Sequence, residues 1–164
     1  MISDVDWPGR EAFGAWIKRL QGQRNGRKNV VALESLSYLN LKNAVLHIQD
    51  LYEAQLTGAN LEWAQFELAR LDRINLEEAN LKNAVFSSAH LDSANLRKAY
   101  LRRAFLREAN LQETNLEGAN LEEADLEEVD LQRANLEEAN LQGANLEGAN
   151  LEGANLEGAN LEGA

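Results

Sequence analysis

Hydrophobic residues recur at every fifth position along most of the chain. From Leu36 to Leu161, all 26 positions at this spacing are leucine except Phe66 and Phe86. Alanine predominates two residues before each of them, and Asn or Asp usually stands between. The repeating unit is therefore Ala, Asn/Asp, Leu and two variable residues, and a repeat of this regularity is the first guide to the fold.

A period of five residues fits neither an α-helix nor a continuous β-strand. On a helix, leucines five apart step about 140° around the axis and form no apolar stripe. On a strand they would alternate between the two faces. Ala and Leu can both point inward if the chain bends once per unit, so the pattern predicts a solenoid that coils around its own leucines.

The motif resembles the pentapeptide-repeat family over about residues 36–164, and from Asn115 to Ala164 it departs from the family pattern only at Val129. The resemblance implies an all-β solenoid, a right-handed quadrilateral β-helix with four pentapeptides in each of about 6 to 7 coils. The Leu or Phe and the preceding Ala would point inside. The predicted core then includes Leu61, Phe66, Leu81, Phe86, Leu101 and Leu121.

Residues 1–30 do not repeat, and we interpret them as a separate N-terminal unit. Their apolar residues fall on one face at helical spacing: Phe13, Trp16, Ile17 and Leu20. Asp6 is a suitable N-cap for such a helix. We therefore predict a short α-helical cap at residues 1–30 that covers the first coil of a β-helix at residues 31–164. A helix that binds a partner or a membrane surface is the alternative.

Twenty residues per coil would make positions 20 apart vertical neighbours. Phe66 and Phe86 would then stack on one face of the core, where a bulky side chain needs another above it. Outside, Lys42, Glu62 and Lys82 would alternate in charge down one column, which stabilises adjacent rungs. The sequence thus supports a four-sided register.

Composition excludes several classes of protein. The 164 residues contain no cysteine, which removes disulfides, thiolate metal sites and cysteine nucleophiles, and the two isolated histidines do not make a metal site. No apolar run approaches the roughly 18 residues of a membrane span, and no signal segment follows Met1. We expect a cytoplasmic protein without a membrane partner.

An enzyme is not expected, and neither is a cofactor. His47 and His90 would lie on different faces, the glycines recur with the repeat period rather than in a phosphate-binding loop, and a filled rod has no concave pocket. We therefore predict no catalytic residue and no metal site.

Charge is unevenly distributed along the chain. Residues 1–107 hold 15 Lys/Arg and 12 Asp/Glu, whereas residues 108–164 hold one base and 15 acids. Basic residues from Arg97 to Arg107, interleaved with Tyr100 and Phe105, are typical of single-stranded nucleic-acid binding. The register, however, places most of them beside glutamates of neighbouring coils, so we expect no direct nucleic-acid partner.

An apolar stripe on the outside is the first candidate for a functional surface. Val45, Val85 and Phe105 replace the usual Asn or Asp, and Ile48 and Leu68 would stack beside them. Trp63 would lie on the adjacent face. Contiguous exposed apolar surface marks an interface, so we predict an unidentified protein partner. The alternative is that the N-terminal helix folds back over the stripe.

The acidic C-terminal part is the second candidate. Its predicted surface includes Glu117, Glu122, Glu127, Glu128 and Glu137. Its linear charge density is comparable with that of B-DNA, which carries one charge per about 1.7 Å. Because some pentapeptide-repeat proteins are DNA mimics that bind DNA gyrase and protect it from quinolones, the resemblance implies a gyrase protector as an alternative function. A solvated acidic face is the simpler interpretation.

The open edge expected at the last coil also predicts an end-to-end homodimer through the C-terminal coils. Taken together, these observations favour a noncatalytic interaction or scaffold module over a DNA-mimicking inhibitor. Proteins of the resembled family are numerous in cyanobacteria.

Overall fold

The computed structural model describes residues 37–164 as a stack of pentapeptides. Regular structure in this range consists of single-residue parallel β-bridges at every fifth residue, from Asn40↔Asn60 to Asn140↔Asn160, with no longer strand and no helix. Each bridge joins residues 20 apart, so the chain returns to the same face after four pentapeptides. This confirms the predicted solenoid and its four-sided register. The handedness and the number of coils stay predictions, and the helical cap predicted for residues 1–30 lies outside the described residues.

Each corner of the coil is a tight turn of four residues. The N–H of the inward Ala donates to the carbonyl of the Leu three residues earlier, as Ala64 does to Leu61 at 2.9 Å. The second variable residue has a positive φ, between 54° and 72°, in all described repeats. A positive φ at the third residue of the turn is the signature of type II. This turn supplies the single bend per unit that the period requires.

In a repeat that carries Asn or Asp and has a coil on each side, every backbone N–H has a hydrogen-bond acceptor. The N–H groups of the Leu and of the second variable residue donate to the following coil, and that of the Asn/Asp position donates to the preceding one. The N–H of the first variable residue donates to the side chain of the Asn or Asp two residues earlier, as Glu117 does to Asn115 Oδ1 at 3.1 Å. The preference for Asn or Asp therefore has a local cause, because no other part of the repeat accepts this hydrogen bond.

The core is a filled column of leucine, phenylalanine and alanine. The six residues that the sequence predicts for it are completely buried: Leu61, Phe66, Leu81, Phe86, Leu101 and Leu121. The rings of Phe66 and Phe86 are stacked with centroids 4.8 Å apart and planes inclined by 6°, as predicted. Thr114 occupies an Ala position, and its buried hydroxyl donates to the Leu91 carbonyl at 2.9 Å.

Burial declines over the last coil. Leu141 is buried, Leu146, Leu151 and Leu156 are half-buried, and Leu161 is 41% exposed. The cause is geometric, since a coil in the middle of the stack is covered on both sides and the last described coil on one side only.

We predict that Leu101→Ala is far more destabilising than Leu161→Ala. Leu101 is fully buried, and truncating such a leucine leaves a cavity that costs about 2 to 5 kcal/mol of unfolding free energy. Urea unfolding followed by circular dichroism measures both changes. Glu147→Ala, on the exposed surface, should be nearly silent, and equal effects at the three sites would contradict the buried column.

Candidate functional site

The apolar strip consists of Val45, Ile48, Trp63, Leu68, Val85 and Phe105. Ile48, Leu68, Trp63 and Phe105 are exposed by 70, 59, 48 and 45%, whereas Val45 and Val85 are half-buried. Bridges place Val45, Gln65, Val85 and Phe105 in one vertical column. Ile48 and Leu68 lie one coil apart in the next outward column of the same pentapeptide face, so the strip is continuous along the rod axis.

Three strip residues occupy the strained position of the turn. Ile48, Trp63 and Leu68 have φ values of 59°, 62° and 58°. L-residues pay roughly 1 to 2 kcal/mol for this left-handed conformation, and a β-branched side chain such as that of Ile48 is the least suited to it. Later repeats place Gly at the same position, for example Gly143 and Gly148. The requirements of the turn therefore do not explain why apolar side chains occupy these three positions.

The other strip residues give up a hydrogen bond. Val45, Val85 and Phe105 stand where Asn or Asp would accept the N–H two residues later. Further along the same column, Asp125 and Asn145 do accept it, from Glu127 and Glu147 at 3.2 and 3.1 Å. A hydrogen bond of this kind contributes about 0.5 to 1.5 kcal/mol. Positive-φ residues other than Gly and replacements of Asn or Asp occur on other faces too, as at Arg73 and His90, but on this face both kinds of departure introduce apolar side chains.

The predicted apolar strip leaves out two exposed aromatic residues, Tyr38 and Tyr100, which are 73% and 58% exposed; the sequence analysis considered Tyr100 only within the basic stretch. Tyr38 has a φ of 63°, at the same turn position as Ile48. Tyr100 interrupts a column of asparagines, bridging Asn80 and Asn120. The signal was available, because each replaces the residue type that its place in the repeat favours. Tyr100 shares the pentapeptide face of Trp63, next to the strip, whereas Tyr38 lies over Gly58 in the repeat of Gln55, on the opposite face.

Most of the basic residues from Arg97 to Arg107 form ion pairs with glutamates of the neighbouring coils, as predicted. Arg97 bridges Glu77 and Glu117, with N–O distances of 3.0 and 3.2 Å. Three further predicted pairs form, namely Arg102–Glu122, Arg103–Glu123 and Arg107–Glu127. The 20-residue register also places Lys98 beside Glu78, but no ion pair between them occurs within residues 37–164.

The same pairs divide the candidate acidic surface. Glu117, Glu122 and Glu127 are held by arginines of the preceding coil. Glu128 and Glu137 have no cation partner among the described residues. Most carboxylates of residues 37–164 without a cation partner therefore lie in the C-terminal part, although Glu67, Glu78 and Asp92 also lack one within that range.

Residues 37–164 contain no cluster of three or more His, Asp or Glu side chains arranged to hold a metal ion. His47 and His90 belong to different columns. Within the same range, no helix has the length and hydrophobicity needed to cross a membrane.

The chain matches the family model described as pentapeptide repeats over residues 35–72, 69–107, 106–143 and 130–164. Among solved structures, the chain is 21% identical to trypsin-treated QnrB1, a plasmid-mediated fluoroquinolone resistance protein, covering 76% of this chain and 66% of that one with a TM-score of 0.58. It is 25% identical to HetL of the cyanobacterium Nostoc sp. strain PCC 7120, a protein involved in heterocyst differentiation regulation, covering 89% and 92% with a TM-score of 0.41. No curated protein sequence matches significantly. At this identity, the likeness to QnrB1 shows a shared fold.

We predict that Ile48→Asn leaves the rod as stable as the wild type or stabilises it by up to about 1 kcal/mol, because Asn adopts a positive φ at lower cost than Ile. Leu46→Asn, two residues away and fully buried, should cost several kcal/mol, on the order of 3 or more, by placing an amide in the core. Thermal unfolding measures both. A clear loss of stability in Ile48→Asn would show that the strip is needed by the fold.

A second prediction concerns the ion pairs between arginines and glutamates of adjacent coils, which we call the charge ladder. Hydrogen bonds from Arg103 and then Arg102 hold the pKa of Glu123 below its ordinary value of 4.5. A carboxyl whose pKa is lower in the folded state stabilises that state fully above its unfolded pKa, and the effect is lost as pH falls through the folded pKa. Glu123→Gln should therefore lower the urea midpoint at neutral pH and make progressively less difference below pH 4.5. Glu147→Gln, which has no cation partner among the described ion pairs, is the control and should show no such pH dependence.

Proposed function

The chain belongs to the pentapeptide-repeat family, and from that premise we propose that it is a noncatalytic interaction module whose apolar strip binds a partner protein. The observation that carries the proposal is the concentration of exposed aliphatic and aromatic side chains on this side of the rod, at positions where later repeats have Gly, Asn, Asp or charged residues. Apolar residues occupy strained turn positions at Ile48 and Leu68, and others replace the turn-stabilising Asn or Asp at Val85 and Phe105. Residues that cost the fold stability without helping it are typical of binding sites.

The shape of the strip suggests what it binds. Val45 to Phe105 spans three coil steps, about 14 Å at the spacing of stacked strands. The side chains on it are aliphatic and aromatic, and Trp and Phe are common anchors of protein interfaces. Because the core of the rod is filled, the strip offers a ridge rather than a pocket. The proposed partner therefore presents an apolar groove or helix face to it.

A second candidate function is protection of DNA gyrase by mimicry of duplex DNA. It is supported by the unpaired carboxylates of the C-terminal part, where Glu128, Glu137 and Glu138 have no cation partner among the described residues. Mimicry would act through these coils, because Glu117, Glu122 and Glu127 are already paired with arginines. The proposed end-to-end dimer would extend the same acidic surface.

Charge substitution separates the two functions. The full chain is used as bait in an extract of its native cells, and we expect the double variant Ile48→Asp, Leu68→Asp to lose a captured protein that wild type retains. Glu128→Lys with Glu137→Lys should retain it. Arg73→Asp is the matched control, since Arg73 has the same positive φ as Leu68 but lies on another face. Loss in the glutamate variant alone, together with binding of purified gyrase by the wild type, would favour mimicry instead.

A further inference from the structure

We propose that the apolar strip is covered in the free protein by the chain's own N-terminal segment, through Phe13, Trp16, Ile17 and Leu20. The partner of the proposed function would then have to displace this segment. The inference rests on that function, because it assigns a regulator to the same surface. It commits to an intramolecular occupant and not to a second copy of the chain.

The position of the strip favours this occupant. Outside residues 97–107 and the last coil, the most exposed apolar residues all lie within the first coils of the described structure. They are Tyr38, Ile48, Trp63 and Leu68. The N-terminal segment joins the rod directly before Tyr38. Residues 21–36 separate its last apolar residue from the rod, and sixteen residues can span roughly 50 Å, which is several times the length of the strip.

The dimensions of the two surfaces also agree. Phe13 to Leu20 would span about 10 Å as a helix, at 1.5 Å per residue. Two coil steps, from Val45 to Val85, cover about the same distance at the spacing of stacked strands. A short amphipathic helix aligned with the rod axis would therefore place its apolar residues over the strip.

Charge provides a further, independent reason. Glu67 precedes Leu68 in the strip, and its Oε2 is shielded from solvent without a hydrogen-bond donor in residues 37–164. A shielded carboxylate oxygen without a donor is costly. Arg19 flanks the apolar face of such a helix, whereas Lys18 lies on its opposite side, so docking of the segment would bring the long side chain of Arg19 within reach of this carboxylate.

Cross-linking of the full chain tests the proposal. Because the protein has no cysteine, Gln21→Cys can be combined with Gln65→Cys, which lies within the strip column and removes none of its apolar side chains. The control combines Gln21→Cys with Gln55→Cys, a glutamine of the same repeat position and similar burial on the opposite face. We expect a short bis-maleimide to link the strip pair within one molecule about tenfold faster than the control pair, since docking raises the local concentration of the two thiols.

Adding Ile17→Asp to the strip pair should bring its rate down to that of the control. Equal rates for the two pairs would overturn the proposal, and linked dimers would assign the strip to a second copy. The result is separable from the proposed function. If the strip pair cross-links no faster than the control pair but wild type still captures a partner that the Ile48→Asp, Leu68→Asp variant loses, only the intramolecular cover is refuted. If the strip pair cross-links fast but that variant captures the same proteins as wild type, only the partner surface is refuted.

Discussion

The structure depends on one backbone event in every five residues, the turn with a positive φ at its third residue. This turn bends the chain so that Ala and Leu, two residues apart, both face inward, and the hydrophobic column exists only because the bend recurs without error. The stacking hydrogen bonds follow from it, because equal bends bring residues 20 apart into register. A single residue unable to adopt the turn would displace everything above it, which explains why the repeat tolerates variation mainly outside.

The outward positions differ in how freely they vary. The first variable residue is nearly unconstrained and carries the charge ladder of Arg97, Arg102 and Arg107. The second is constrained by its φ, and the Asn/Asp position by the hydrogen bond that its side chain accepts. Departures at the constrained positions cost stability, so they carry more information about function than any charge in the ladder. This criterion is the reason for placing the proposed partner surface in the irregular N-terminal half of the rod, whereas the acidic coils are its most regular part.

The same criterion explains how the surface is divided. Glycine and Asn, which suit their positions, dominate the last coils, where the backbone is least strained and the free carboxylates are most numerous. The first coils combine positive-φ turns occupied by large apolar residues, missing side-chain acceptors and exposed aromatic residues. The most regular coils and the proposed recognition surface thus occupy different parts of one repetitive chain, with the arginine–glutamate pairs of residues 97–107 between them.

The sequence by itself determined the solenoid, its register and much of its charge pairing. The period of five admits no other way to bury every leucine, and positions 20 apart then predict the Phe66–Phe86 stack and the contacts of Arg97. Only the tertiary structure decided the sign of φ at each turn, the role of the Asn side chain and the degree of exposure of each outward residue. Val45 and Val85 are half-buried while Ile48 is exposed, and Lys98 forms no ion pair within residues 37–164, although all four are outward positions in the repeat. Periodicity tells which side of the chain faces the core, whereas exposure and pairing depend on rotamers and on the neighbours above and below, which the five-residue period does not specify.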